Sequence, residues 1–308
     1  MELQGLLNLQ LMMFALMGVG FFLRKREIIT KAGRDVLTDL IIDIILPCNI
    51  IAAFQISLSR EILISGIQVL AVSLVLQIFC TGISSICYRK VPKEKRMILQ
   101  YGTVCSNAGF LGNPVAEGIY GSLGLLYASI YLIPQRIVMW SAGVSYFTES
   151  PNRREVFKKV LRHPCIIAVE IGIVLMITQL QLPEFLDRSI SSLGGCTTAI
   201  TMMFIGTILA DAGFKHMVSR LTVVFAAIRL LFIPLLVMLG CMLFHVEAVA
   251  AGLSVVLAAM PAGSTTAILA AKYHGDEAFA TQCVVFTTIL SMAALPLWCM
   301  GLNMVFKV

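Results

Sequence analysis

The sequence predicts an all-α membrane protein of ten transmembrane helices, arranged as a 5+5 inverted repeat. Three observations predict it. Apolar runs of spanning length recur along the whole chain, basic residues crowd alternate connections, and proline interruptions recur at corresponding places in the two halves.

Of 308 residues, 58% are hydrophobic and 13% charged, with a mean hydropathy of +0.91. A soluble domain sits near ~45–50% apolar and ~25% charged, so an ordinary soluble enzyme is excluded. A spanning helix needs ~20 mostly apolar residues. Such runs fall at roughly 3–23, 35–55, 62–87, 98–121, 123–146, 164–181, 189–211, 220–244, 247–272 and 278–304. The first follows Glu2 and precedes Arg24-Lys25-Arg26, the reverse of a secretory signal's charge order, so it is expected to be a retained helix. The second carries Asp35, Asp39 and Asp43 at four-residue spacing, on one helix face, ahead of Pro47. The fourth holds Asn113-Pro114 and the fifth Pro134 with Arg136; their counterparts, the ninth and tenth, hold Met260-Pro261 and Pro296. The longest polar stretch, from Thr148 to His163, divides the chain into a first repeat (1–147), a cytoplasmic linker (148–163) and a second repeat (164–308).

Connections after the odd-numbered helices carry 18 lysines and arginines, against Arg60, Arg188 and Lys307 on the opposite side. That asymmetry places those connections in the cytoplasm and both termini outside. The net charge of +6 resides in these short loops and does not point to nucleic acid. The nine cysteines fall mostly within apolar runs, without the paired spacing of a metal site, and read as buried structural thiols. The four histidines show no ligand spacing, and no metal or cofactor is expected.

A proline inside a helix removes one hydrogen bond and clashes with the carbonyl four residues back. Pro114 is expected to free the carbonyl of Phe110, and Pro261 that of Leu257. In lipid, such groups are tolerated only where protein or a water-filled cavity satisfies them. The first break reads Cys105-Ser-Asn-Ala-Gly-Phe-Leu-Gly-Asn-Pro114, with Asn107 and Asn113 bringing donors and acceptors to this depth. The second reads Met260-Pro-Ala-Gly-Ser-Thr-Thr266. A half-helix starting there aims free N–H groups and a positive dipole end at the crossing, suited to a carboxylate. Alternatively, the hydroxyls of Ser264, Thr265 and Thr266 bond back to carbonyls of their own helix.

Charges inside the membrane are functional hypotheses by default. Asp43 is the candidate for proton coupling, or else the structural partner of Arg136 or Arg229. Arg136 is a candidate to neutralise a substrate carboxylate. Glu170 and Arg229 lie on corresponding helices of the second half and are a possible pair; Glu117 and Asp211 read as solvated caps.

The chain resembles the auxin efflux carrier family, which includes bacterial malate- and malonate-permease-like proteins and is similar in fold to the bile acid:sodium symporters. The likeness rests on Ile45-Leu-Pro-Cys-Asn-Ile-Ile-Ala-Ala-Phe54, Ser106-Asn-Ala-Gly-Phe-Leu-Gly-Asn-Pro-Val115, His163-Pro-Cys-Ile-Ile-Ala, Leu182-Pro-Glu-Phe-Leu186, Ile205-Gly-Thr-Ile-Leu-Ala210 and the stretch from Met260 to Pro296. The resemblance implies a scaffold domain and a transport domain, with the fourth and ninth helices crossing at prolines. It also implies a carboxylate-bearing organic anion as substrate. Asn113-Pro114 matches the family's first crossover; at the second, Met260 stands where the plant carriers have asparagine. The expected function is therefore a secondary transporter of a mono- or dicarboxylate in the cell membrane, working by alternating access. Substrate is expected at Asn107, Asn113, Pro114, Pro261, Ser264, Thr265 and Arg136. The partners expected are the anion and lipid, with a proton at Asp43 and a second copy of the chain as candidates. A passive anion channel or uniporter is the nearer alternative, and an intramembrane enzyme the remoter one. No GxxxxGK[ST] loop exists for ATP, no HExxH is present, and Ser264 and His274 are too far apart on one helix to form a dyad.

Overall fold

A computed structural model describes residues 3–147, 161–211, 217–273 and 275–306; within them every regular element is helical. In chain order these are α1 (Leu3–Lys25), α2 (Lys31–Ala53), α3 (Arg60–Cys87), α4 (Lys93–Val104) and α5 (Ala108–Gly112 running into Asn113–Trp140). After a single helical turn at Ala142–Ser145 there follow α6 (Pro164–Thr178), α7 (Glu184–Asp211), α8 (Arg220–Leu243), α9 (Ala248–Ala258), α10 (Thr265–Lys272) and α11 (Glu277–Phe306). The runs α2, α3, α7, α8 and α11 are long and apolar enough to cross a membrane, and so by length and composition is the Ala108–Met139 part of α5, which however turns back at Gly121; α6 and α9 are shorter apolar helices. Most of the predicted linker, residues 148–160, lies outside the described residues.

The distribution of polarity is that of a protein solvated by lipid. Large apolar side chains stand on the outside, including Val75, Ile78 and Ile86 of α3, Val174 and Ile177 of α6, and Leu297 and Met304 of α11. Polar groups such as Gln77, Thr103, Asn113, Gln135, Arg136 and Arg229 are buried. Apolar surface gains nothing by leaving lipid, so close fit and interior polar contacts must hold the helices together. The seam between α1 and α7 shows the fit. A Cβ on Gly20 would lie 1.9 Å from the Met203 carbonyl oxygen, and one on Gly206 would lie 2.0 Å from that of Met17. α2 packs on α6 and α7, where Gly172 admits the Phe54 ring and Gly194 admits the Asn49 backbone. At one end of this group Asp211 bridges Arg24 at 2.8 Å and Arg34 at 2.9 Å.

Two local devices shape α5. At Gly121 (φ 63°, ψ −152°) the chain reverses so sharply that a Cβ on Gly124 would meet the Ala116 carbonyl oxygen at 2.2 Å. The predicted fourth and fifth segments are thus two arms of one hairpin. The second device recurs three times: π turns at Ile41–Ile45, Ala108–Gly112 and Ile228–Phe232 each end two residues before a proline, namely Pro47, Pro114 and Pro234. In each, the N–H that closes the turn reaches five residues back, to Ile41, Ala108 and Ile228. The wider turn moves the carbonyl that the pyrrolidine ring would otherwise strike.

Candidate functional site: the paired helix breaks

The fourth predicted segment is interrupted at Cys105–Asn107, not at Pro114. Cys105 leaves the helix (φ −104°, ψ 100°), and Asn113-Pro114 lies within continuous helix because the π turn before it absorbs the proline. The ninth is interrupted at Ala259–Ser264, around Pro261 as expected. The two unwound stretches meet as a short antiparallel bridge between Ser106 and Ala262. Asn107 N–H donates to the Pro261 carbonyl at 2.8 Å, and Gly263 N–H donates to that of Cys105 at 2.9 Å. Each break satisfies the other's backbone, as membrane interiors require. Gly263 is needed here because a Cβ would press the Cys105 and Ser106 carbonyl oxygens at 3.1 and 3.2 Å. The carbonyl of Leu257, expected to be free, accepts from Met260 N–H at 3.3 Å.

Side chains from neighbouring helices brace the bridge. Gln135 Nε2 donates to the Ser106 carbonyl, and Ser106 Oγ donates to Gln135 Oε1, both at 2.8 Å. Thr287 Oγ1 accepts from Ala262 N–H at 3.2 Å, and Tyr101 OH donates to Thr265 Oγ1 at 3.1 Å. None of these braces was singled out in the sequence. For Gln135 a signal existed, since it sits between Pro134 and Arg136 in an apolar run; for Tyr101 and Thr287 there was none.

The expected site residues divide into groups. Asn107, Pro261, Ser264 and Thr265 lie at or beside the bridge, all buried except Thr265, which is half-buried. The alternative, back-bonding of the three hydroxyls to their own helix, is not seen at Ser264, which occupies the cap position of α10 without a capping bond, nor at Thr266, whose Oγ1 is buried without a partner. Asn113 is fully buried, and neither its Nδ2 nor its Oδ1 has a hydrogen-bond partner. Its neighbour Gly112 faces Leu257 at the end of α9 and Met260 in the other break. Pro114, also buried, follows directly. Arg136 is buried with Nη1 unpartnered, in electrostatic reach of Cys165 and of His163 at the start of α6.

For Asp43, the structural alternative to a coupling role is not formed. The residue is exposed on the outer face of α2, as are Asp35 and Asp39, and it forms no ion pair with Arg136 or Arg229 among the described residues. The suggested Glu170–Arg229 pair is not formed either: Glu170 is exposed and Arg229 is buried. Glu117 is half-buried and accepts from Asn49 Nδ2 at 3.3 Å, so it is more than a solvated cap. His163 accepts the Cys165 N–H at Nδ1, 3.3 Å away, and caps α6. Burial, with Arg136 nearby, pushes the imidazole down from 6.5 to about 4. No cluster of metal-ligating side chains occurs among the described residues.

An apolar-surfaced helical bundle with two unwound stretches paired at its polar interior is the architecture of a membrane transport protein. The sequence matches the profile of a family described as membrane transport protein, over residues 8–158 and 153–299. The chain belongs to this family, the auxin efflux carriers. It is 26% identical over 288 residues to an uncharacterized transporter of Methanothermobacter thermautotrophicus, covering 91% of this chain and 93% of that one. It is 23% identical over 303 residues to another in Methanocaldococcus jannaschii, covering 95% and 97%. It is 20% identical over 298 residues to the uncharacterized transporter YfdV of Escherichia coli, covering 92% and 93%.

Proposed function

We propose that this transporter moves a small organic anion, a mono- or dicarboxylate, across the cell membrane by alternating access, in the manner of a malate/malonate permease. The fold we read is ten spans in two inverted five-helix halves, with both termini outside. The pairing of α1 with α7 and of α6 with α2 supports it, because exchange of the two halves turns one contact into the other.

The observation that carries the reading is Asn113. A buried polar group without a partner costs ~1–3 kcal/mol, and Asn113 leaves both a donor and an acceptor unmet. A cargo whose carboxylate accepts from Nδ2 removes part of that cost. Proton coupling is assigned to Asp43, a carboxylate midway along α2 with no counter-charge among the described residues. Counterflow in proteoliposomes tests the function: a carrier exchanges labelled for unlabelled carboxylate against a gradient. Flux that follows the gradient alone, without exchange, assigns a channel instead.

A further inference from the structure

Arg229 lies in the π turn Ile228–Phe232 of α8 and is 3% exposed. Its Nε has no hydrogen-bond partner, and no ion pair among the described residues includes it. The ionisable groups in its electrostatic reach are Cys80, Tyr88, Cys105 and Tyr131, none of them a carboxyl. The turn packs on α11, whose acidic residue, Glu277, opens that helix and is not paired with Arg229. There Trp298 Nε1 donates to the Leu230 carbonyl at 2.8 Å, a bond to the backbone of the turn and not to its guanidinium.

The depth of Arg229 follows from its helix. Phe225, one turn earlier, lies against Gly102, where a Cβ would come within 2.8 Å of the ring. One turn on from Gly102 is Ser106, in the bridge, and Arg229 and Cys105 are electrostatic neighbours. The Phe225–Gly102 contact and the field that Arg229 shares with Cys105 set the guanidinium on the side of α8 that faces the carbonyl end of α4. That end offers about half a negative charge at most. A guanidinium does not shed its proton in a protein, and a buried charge without a counter-ion is strongly destabilising.

We infer that Arg229 is the fixed counter-charge that receives the transported anion at the crossing of the two breaks. This rests on the organic-anion reading and deepens it, since it names a second cation besides Arg136 on the cargo's path. An empty carrier then holds an unneutralised charge, and a carboxylate is drawn in to complete the pair. A carboxylate meeting Arg229 makes charge-assisted hydrogen bonds that an amide of the same shape does not match.

The test uses purified full-length protein in nanodiscs with four probes: acetate, malonate, succinate and the neutral malonamide. Wild type, Arg229→Met and Arg229→Lys are compared for thermal unfolding when empty and for affinity. Wild type should be stabilised by at least one carboxylate and not by malonamide. Arg229→Met, of similar length but uncharged, should unfold no earlier than wild type when empty, yet bind that carboxylate at least about tenfold more weakly. Arg229→Lys should bind it more tightly than Arg229→Met does. If Arg229→Met fails to fold, or unfolds well below wild type when empty, Arg229 is structural and the inference is overturned. Carboxylate affinity unchanged in Arg229→Met also overturns it, leaving the organic-anion reading intact. If no carboxylate stabilises wild type, the organic-anion reading fails and takes the inference with it.

Discussion

Replacing Gly20 by alanine separates close helix packing from helix propensity within a single element. Its Cβ would start 1.9 Å from the Met203 carbonyl oxygen, and real Cβ atoms essentially never come within 3.0 Å, so α1 and α7 must part by about 1.1 Å (3.0 − 1.9). A gap of that size forfeits up to about half of each contact along the seam. About fifty atom pairs at ~0.1–0.2 kcal/mol then lose up to about 2.5–5 kcal/mol, at or above the ~1–3 kcal/mol typical of overpacked cores. The better helix propensity of alanine returns about 1 kcal/mol. Gly18, two residues away on α1, has no atom within 4 Å of its built Cβ and takes only the propensity gain. Thermal unfolding in detergent, followed through the fluorescence of Trp140 and Trp298, should show Gly20→Ala melting several degrees below wild type. Gly18→Ala should melt at or slightly above wild type. Equal melting of the two variants refutes the close seam.

Asn113→Ala should weaken carboxylate binding about ten- to a hundredfold, the loss of a charge-assisted hydrogen bond worth ~1.5–3 kcal/mol, while the empty protein folds at least as well. Unchanged affinity would make Asn113 a helix residue and nothing more. Asp43→Asn, a mimic of the protonated form, should abolish the dependence of uptake on a pH gradient yet retain exchange in proteoliposomes; full pH-driven accumulation by the variant assigns Asp43 a structural role. His163 provides a pH test of stability. Between about 6.5 and about 4 the unfolded chain takes up a proton that the folded imidazole refuses, so stability should fall as the pH is lowered through that window and level off below it. His163→Asn, which retains a side-chain acceptor at the cap but does not titrate, should flatten the profile; an unaltered profile means that other groups set it.

Composition and apolar run length made the helical membrane class legible, and the Ser106–Val115 motif made the family legible. The site of the first break was not. The rule that proline breaks a helix pointed to Pro114, seven residues past the last residue of the break. Two things defeated it. The π turn before Pro114 leaves no mark in composition, and Cys105–Asn107 unwinds because it pairs with Pro261–Gly263, a partner no local pattern announces. Pro261 does lie in its unwound stretch, whereas Pro134 and Pro296 stay inside continuous helix with no π turn before them, so proline alone does not decide where a helix opens. Four-residue spacing correctly put Asp35, Asp39 and Asp43 on one face, but spacing says nothing of which face is covered, and this one is open. For Arg229 the charge was visible and the absence of a partner was not, because that depends on every helix around it.

The bridge between the two breaks also sets a timetable for assembly. Cys105 bonds to Gly263, so 158 residues must be added after the first donor–acceptor pair's earlier member before its partner exists (263 − 105 = 158). At roughly 5–20 residues per second that is on the order of ten to thirty seconds. Throughout it, the part of the chain already made carries the Asn107 N–H and the Cys105 carbonyl without the partners that they have in the finished protein. During those seconds the nascent chain depends on water, the translocation machinery or an insertion chaperone to shelter Cys105–Asn107. A ribosome that stalls before Pro261 leaves behind a membrane fragment with a built-in defect, a ready signal for the proteases that clear unfinished chains.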